Sequence, residues 1–377
     1  MVKKVIFITN IIPPYRVPVL NYIARASGFD FQVLFMRAKE HNRAWDIPLK
    51  DLRVPYEILP GLHLPIKKMD WEIHFNLSIW GRLNKENPDI IIMGGYDAPT
   101  IWLAFIWAKL HHRKIIFWVG STLFSSKRQK GIIGLIKRFF IQHGNAFIAY
   151  GQASRNYLLY FKIPDDKIFI GCNVCDQKLF RESALAYRNK PEFLSERKKY
   201  SSIVFLSTGR FVAGKGLIEM LTALSKMSYQ NWSLVMVGDG PLLPQIQDFI
   251  KDRHLEGRVR LTGFKQQQDL TPYYSLADIF IFPSKQEVYG IVVSEALASG
   301  LFVLSSQYAG ATYDLIQEGT NGYIIDPDNP GQLQHQIERA INKFTSQPPD
   351  RNKISDSIEK FTPERYGQQV INAINSL

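Results

Sequence analysis

Cysteine is nearly missing from this 377-residue chain, which holds only Cys172 and Cys175. Two cysteines make no disulfide framework in so long a chain, and the count points to a reducing, cytoplasmic setting. Cys172-Asn-Val-Cys175 has apolar flanks and no second pair to complete a metal site, so neither metal nor redox chemistry is expected there. No apolar run approaches the ~20 residues that cross a bilayer. The best, Ile101–Leu110, is short and contains Lys109. The basic start, Met1-Val-Lys-Lys, leads into an apolar run broken by Asn10, Pro13 and Pro14 with no small-residue cleavage site. It reads as a first strand rather than a signal peptide. No Gly-x-x-x-x-Gly-Lys-Ser/Thr loop of the ATPase kind occurs, and no RNP, paired Cys/His or helix-turn-helix pattern argues for nucleic acid.

Acidic residues are scarce in one half only. Residues 1–200 carry 31 Lys/Arg against 16 Asp/Glu, whereas residues 201–377 carry 15 against 18. Residues 101–150 hold eight Lys/Arg and no acid. Such a half is expected to meet an anionic surface or ligand: membrane phospholipid, a lipid diphosphate or, without a motif to support it, nucleic acid.

Strand-like and helix-like segments alternate through the chain, which predicts parallel strands with crossover helices. In the first half strands are predicted at Val5–Thr9, Asp30–Met36, Asp89–Met93, Lys114–Val119 and Ala146–Tyr150. Helices are predicted at Arg16–Ala26, Pro99–Leu110, Gly131–His143 and Gln152–Phe161. The charged stretch Arg181–Tyr200, with Pro191, reads as linker. A second series follows, with strands at Ser202–Thr208, Ser233–Val237, Val259–Thr262, Ile279–Phe282, Phe302–Ser305 and Tyr323–Ile325, and a helix at Leu217–Met227. The expected organisation is a first Rossmann-like domain over 1–185, a linker over 186–200, a second domain over 201–360, and a terminal helix over 361–377 that packs back on the first.

The most informative stretch is Pro283-Ser-Lys-Gln-Glu-Val-Tyr-Gly-Ile-Val-Val-Ser-Glu. It places Glu287 in a short loop after a strand, Gly290 at the head of a helix and Glu295 on that helix. Helix N-termini at the carboxyl ends of parallel strands attract phosphate, and a glycine there admits an anion close to backbone N–H groups. Like charges keep the two carboxylates from binding the phosphate themselves; accepting hydrogen bonds from sugar hydroxyls suits them better. Read singly, Glu287 caps the helix and Glu295 is solvated. Ser207-Thr-Gly-Arg-Phe-Val-Ala-Gly-Lys-Gly sets Arg210 and Lys215 in a glycine-containing loop after the second domain's first strand, two cations suited to a diphosphate or else solvated at a surface turn. Val235-Met-Val-Gly-Asp-Gly-Pro is a generic βα turn, and Leu261-Thr-Gly-Phe-Lys sets Gly263 and Phe264 where backbone can meet a nucleobase. Each of these elements ends a successive strand.

In that order, Gly-Arg-x-x-x-x-Lys-Gly, Val-Gly-Asp-Gly-Pro, Gly-Phe, Ala-Asp-x-x-x-x-Pro-Ser and Glu-x7-Glu-Ala-x-Ala-x-Gly resemble the retaining GT-B glycosyltransferases of family 4. The likeness covers most of the second domain. It extends to Asn173-x-x-Asp176-x-x-x-Phe180 and to Pro13-Pro-Tyr-Arg-Val-Pro, which is similar to members that build bacterial surface glycans. The resemblance implies an α/β GT-B fold, two Rossmann-like domains facing across a cleft, and transfer of a hexose-type sugar from a UDP- or GDP-linked donor, with retention, to a glycan or lipid-diphosphate-linked acceptor. It implies that Arg210 and Lys215, with Gly209 and the N–H groups of Gly290, Ile291 and Val292, meet the donor diphosphate. Glu295 would bind the ribose, Glu287 the transferred sugar, and Gly263 and Phe264 the base. No metal or other cofactor is implied. Many members carry a histidine near the sugar after a strand of the first domain. Here Lys114–Val119 is followed by Gly120-Ser121-Thr122. Either Ser121 or Thr122 stands in its place, or this chain does without it. Arg16, Ser121 and Thr122 are the expected acceptor-side residues. A GT-B nucleotide-sugar epimerase and an inactive sugar-nucleotide-binding subunit are the other readings.

Lys127-Arg-Gln-Lys-Gly-Ile-Ile-Gly-Leu-Ile-Lys-Arg-Phe-Phe-Ile-Gln mixes five cations with apolar residues. As a helix it sets Ile132, Ile136, Phe139 and Phe140 on one side. It either lies in a membrane interface or packs on its own sheet with solvated basic ends. With the charge of the first half, it makes a cytoplasmic protein peripheral on the inner membrane face the expected localisation.

Overall fold

The structure, a computed structural model, describes residues 2–26, 28–40, 45–46, 49–66, 71–126 and 131–377. Contacts divide the chain into two compact units, Met1–Asn173 with Pro363–Leu377, and Val174–Thr362.

The first unit is built on β1 (Lys3–Thr9), β2 (Phe29–Phe35), β3 (Tyr56–Ile58), a hairpin of β4 (Leu62–Ile66) and β5 (Trp71–Phe75), then β6 (Ile90–Met93), β7 (Lys114–Val119), β8 (Ala146–Ala149) and β9 (Ile168–Ile170). Seven of these form one sheet in the order β3-β2-β1-β6-β7-β8-β9, paired in parallel throughout. β6 reads Ile-Ile-Ile-Met and is wholly buried, as a parallel strand covered on both faces should be. Its crossover helices are α1 (Val17–Ala24), α2 (Ser78–Glu86), α3 (Pro99–Leu110), α4 (Gly131–Gln142) and α5 (Gln152–Tyr160). The C-terminal helix, Pro363–Asn375, packs on this unit as expected. It buries Tyr366, Val370 and Ile374 against Val19, Leu20 and Ile23 of α1. Gly367 has no side chain because a Cβ there would meet the Tyr22 ring at 2.5 Å.

The second unit holds α6 (Gln177–Arg188), α7 (Phe193–Arg197), β10 (Ile203–Thr208), α8 (Leu217–Ser225), β11 (Trp232–Val237), α9 (Leu243–Asp252), β12 (Val259–Leu261), α10 (Thr271–Leu276) and β13 (Ile279–Phe282). It continues with α11 (Ile291–Ala298), β14 (Phe302–Ser306), α12 (Thr312–Leu315), β15 (Gly322–Ile325), α13 (Pro330–Ser346) and α14 (Arg351–Asp356). Its six strands pair in parallel in the order β12-β11-β10-β13-β14-β15. Both units are thus Rossmann-like.

The linker expectation fails. Residues 186–200 are the end of α6 and the whole of α7, inside the second unit. Asp176 caps α6 by accepting from the Leu179 N–H at 3.1 Å, and the helix buries Phe180 and Ala184, four residues apart. An apolar stripe that narrow hides among charges. The chain changes unit at Asn173/Val174 and again at Thr362/Pro363. The hairpin β4–β5 was not anticipated either.

Candidate functional site

In the second unit, the loop after β10 and the loop after β13 are fastened together by backbone. The Gly214 carbonyl accepts from the N–H groups of Lys285 at 2.9 Å and Gln286 at 3.1 Å, and from Ser284 Oγ at 3.3 Å. Gly216 has φ +65°, and a Cβ on it would overlap the Pro283 carbonyl, so only glycine allows this approach. Lys215 lies between those two glycines. The fastening carries its ammonium to Glu287, with Nζ 2.5 Å from Oε2 and 5.5 Å above the Phe282 ring. The Val288 N–H donates to the other carboxylate oxygen at 2.9 Å. Burial pushes the Glu287 carboxyl up, but the Lys215 ammonium and the N–H groups of Val288 and Tyr289 outweigh it and hold Glu287 below the usual carboxylate range.

Gly290 caps α11 in the left-handed region at φ +93°. A Cβ there would meet the Phe282 ring at 2.6 Å and Glu287 Cγ at 3.5 Å, so Gly290, Phe282, Glu287 and Lys215 are contiguous. Ile291 and Val292 open the helix, and the Val293 N–H donates to the Gly290 carbonyl at 3.0 Å.

Glu295 is not solvated. It is 7% exposed and accepts from Tyr274 Oη at 2.8 Å, and Tyr274 lies 3.3 Å from Thr208 Oγ1 at the end of β10. Burial pushes the Glu295 carboxyl up to about 7, with the Tyr274 hydrogen bond opposing. Thr208 and Tyr274 were not singled out in the sequence, because a threonine in a strand and a tyrosine in a short helix belong to no motif.

Gly209, Gly238 and Gly263 end neighbouring strands and touch through backbone. The Gly209 N–H donates to Val237 O and the Gly238 N–H to Gly263 O, both at 3.0 Å, and a Cβ on Gly238 would overlap the Gly209 carbonyl. Phe264 beside them is 42% exposed. Arg210, half-buried, follows Gly209 in the same loop as Lys215. The second unit thus assembles the expected donor-side residues at one edge of one sheet.

The acceptor-side expectations fall in the first unit. Arg16 is 5% exposed, its guanidinium bonded to Tyr150 Oη and lying 5.1 Å from the Trp118 ring. Ser121 Oγ is 3.0 Å from Tyr96 Oη, which in turn is 2.7 Å from Tyr157 Oη. Thr122 is buried in a local turn with Ser125. Lys127–Lys130 and the side chain of Ile132 lie outside the described residues. The expected one-sided apolar stripe of α4 is divided: Phe140 and Ile141 are buried, whereas Leu135, Ile136 and Phe139 are exposed. Leu135, Ile136, Phe139 and Phe140, with Trp102, Phe105 and Ile106 of α3, line an apolar groove of about 400 Å³.

Among the described residues no group of three His, Cys, Asp or Glu side chains is placed to hold a metal. An Asp-x-Asp spacing occurs at Asp326 and Asp328, but Asp328 pairs with Lys285 at 2.7 Å. No helix among the described residues is long and apolar enough to cross a membrane.

Residues 189–361 match the family model described as glycosyl transferases group 1. The matched stretch lies within the second unit. The N-acetyl-alpha-D-glucosaminyl L-malate synthase of Bacillus anthracis is 24% identical over 292 residues, 76% of this chain and 74% of that protein. The lipopolysaccharide core biosynthesis glycosyltransferase LpsE of Rhizobium meliloti is 29% identical over 138 residues, 37% of this chain and 39% of that one. The first curated relatives are matched over about half their length, 55% and 42%. The Anabaena protein HepE, solved in complex with UDP, superposes with a TM-score of 0.77 at 17% identity over the whole of both chains. The fold is GT-B.

Proposed function

We propose that this chain is a retaining glycosyltransferase. It moves a hexose-type sugar from a UDP- or GDP-linked donor to a glycan or lipid-linked acceptor in polysaccharide or lipopolysaccharide biosynthesis. The observation that carries this reading is the Lys215–Glu287 pair, held at the head of α11 by two fastened loops. The group 1 match over the same residues supports it, as do the names of the relatives and the UDP in the Anabaena structure.

The chemistry follows from the charges. Without ligand, Glu287 neutralises Lys215. A donor diphosphate competes for the ammonium and takes it, because two phosphates beside a helix N-terminus and Arg210 outweigh one carboxylate. Glu287, released yet still ionised, then accepts hydrogen bonds from the hydroxyls of the sugar. Charge building on the leaving diphosphate during C1–O cleavage is stabilised by Arg210, Lys215 and the first-turn N–H groups of α11. Glu295 accepts from the ribose. The residues make no demand for a metal. The basic first half and the exposed apolar side chains of α3 and α4 suit a protein resting on an anionic membrane surface, where a lipid-linked acceptor would be met.

A thermal-shift panel of UDP, GDP, ADP and TDP and their sugars, run with EDTA, tests the reading. A rise for one nucleotide, lost in Arg210→Ala, is expected, and no response to any nucleotide overturns it. Turnover of donor without any acceptor identifies an epimerase instead.

A further inference from the structure

In the first unit, four polar side chains from separate segments meet at the carboxyl ends of β1 and β2. Asn10, just after β1, donates from Nδ2 to Glu40 Oε1 at 2.9 Å. Glu40, in the segment after β2, is 6% exposed. His74 on β5 is 2% exposed and sets its Nε2 3.4 Å from the same carboxylate oxygen. Its Nδ1 is 3.0 Å from Nδ1 of His63, its cross-strand partner on β4. Arg37 beside them pairs with the buried Glu72 of β5. The donor chemistry above uses none of these groups.

With one proton on each imidazole, the hydrogen bonds set the tautomers in sequence. Glu40 as a carboxylate can only accept, so His74 donates from Nε2. His74 then accepts at Nδ1, so His63 donates from its Nδ1. The remaining nitrogen of His63, Nε2, is left with a lone pair, and it makes no hydrogen bond to the described residues. His63 itself is only half-buried. Burial and the Arg37 guanidinium push its imidazole below the ordinary histidine value, against the pull of Glu72, so it is neutral at pH 7. A relay of this form orients an imidazole for an outside donor just as a carboxylate behind a histidine orients a metal ligand.

We propose that His63 Nε2 accepts a hydrogen bond from a hydroxyl of the acceptor substrate, with His74 and Glu40 as positioning residues. The proposal rests on the glycosyl-transfer reading and supplies that reading with a contact on the acceptor side. A lone pair backed by a buried carboxylate favours a hydroxyl and disfavours a phosphate, and the carboxyl end of a parallel sheet is where ligands reach such folds.

The test uses the full chain, with His63→Phe to remove the acceptor atom, His63→Gln to restore one, and Glu40→Gln to release the relay. Transfer is measured to n-octyl glucoside and n-octyl galactoside as probes, with the donor found by the nucleotide panel. We expect the nucleotide thermal shift to be unchanged in all three variants. His63→Phe should raise the acceptor KM by about five- to tenfold, the scale of one hydrogen bond, and His63→Gln should recover part of it. Wild-type kcat/KM for the acceptor should rise with pH and level off below the ordinary histidine value, since only neutral His63 accepts, and His63→Phe should lose that rise. An unchanged acceptor KM and pH profile in His63→Phe overturns the proposal, as does a lost nucleotide shift, which would mark a structural role. If the wild type responds to no nucleotide, the glycosyl-transfer reading is what fails. Long-range 1H–15N spectra of ¹⁵N-histidine protein then judge the array alone: a protonated Nε2 on His63 at pH 8 sinks it, and a bare Nε2 that becomes mixed in Glu40→Gln upholds it.

Discussion

Two polar clusters sit at the carboxyl ends of parallel sheets in this chain, and they are made in opposite ways. In the second unit, Lys215 and Glu287 are joined because their loops are locked by backbone: one carbonyl, Gly214 O, takes two N–H groups and a hydroxyl, and Gly216 lets Pro283 press against it. In the first unit, Asn10, Glu40, His63 and His74 come from four segments: the β4–β5 ladder sets His63 opposite His74, and side chains join Glu40 and Asn10 to them. The first arrangement holds its charges in place whether or not they are satisfied. In the second, backbone fixes only the two histidines, and Glu40 and Asn10 stay with them through side-chain hydrogen bonds. Backbone locking leaves a motif in the sequence, and side-chain assembly leaves none.

The sharpest way to break that contrast is Gly216→Ala. A positive φ and overlap with the Pro283 carbonyl together should cost about 3–4 kcal/mol of stability and abolish the nucleotide thermal shift. Gly95→Ala is the control in the first unit: φ is also positive, at +110°, but nothing lies within 4 Å of its Cβ. It should cost only about 1–2 kcal/mol, from strain alone. Urea unfolding of both variants decides it, and equal losses would mean that the loop fastening contributes nothing.

Glu295 comes next. Its folded value of about 7 lies above its ordinary 4.5, so the folded state binds the proton more tightly. The stabilisation is full below about pH 4.5 and is lost as pH rises through about 7. Between those limits the wild type should lose about 3 kcal/mol relative to Glu295→Gln, whose stability lacks this titration. Urea midpoints at pH 5 and pH 8 measure it, and parallel curves for the two proteins would refute it.

Much of this was legible because parallel strands buried on both faces are continuous apolar runs, as in Ile90–Met93 and Ile279–Phe282, which the structure reproduces. The donor-side glycines were legible for the same reason they are needed: Gly209, Gly263 and Gly290 take backbone angles that other residues resist. What escaped notice lacked such a signature. Phe180 and Ala184 make α6 a helix where charge suggested linker. Tyr274 reaches Glu295 through a fold contact between helices. His74 meant nothing in the sequence because its partners, His63 across a hairpin and Glu40 before it, are neighbours only once the strands pair. The roles assigned to Arg16, Ser121 and Thr122 rest on resemblance; their contacts within the first unit are to aromatic rings, hydroxyls and a local turn.

Lys215→Ala should weaken nucleoside diphosphate binding by ~1.5–3 kcal/mol, the scale of a charge-assisted hydrogen bond. The pairing with Glu287 makes a further demand. Removing the lysine leaves a carboxylate facing the phosphates, so Lys215→Ala with Glu287→Gln should bind more tightly than Lys215→Ala alone. Calorimetric titration of the four proteins gives the coupling, and additive losses would mean that the pair does not exchange partners on binding.

The smallest effect separates contact from scaffold. Phe264 is 42% exposed beside Gly263, whose left-handed φ of +71° turns the chain at the end of β12. A ring that is part of the core would take stability with it when removed. A ring held out for a nucleobase would not. Phe264→Ala should therefore leave the urea midpoint within the ±0.5 kcal/mol typical of surface changes while weakening nucleotide binding by about 1 kcal/mol, the low end for stacking of one base. Because every base offers a π-face, UDP and GDP should lose affinity alike, and their ranking should survive. A change of ranking instead would give Phe264 a part in choosing the base, and unchanged affinity for both would remove it from the donor site and leave Gly263 there as a turn alone.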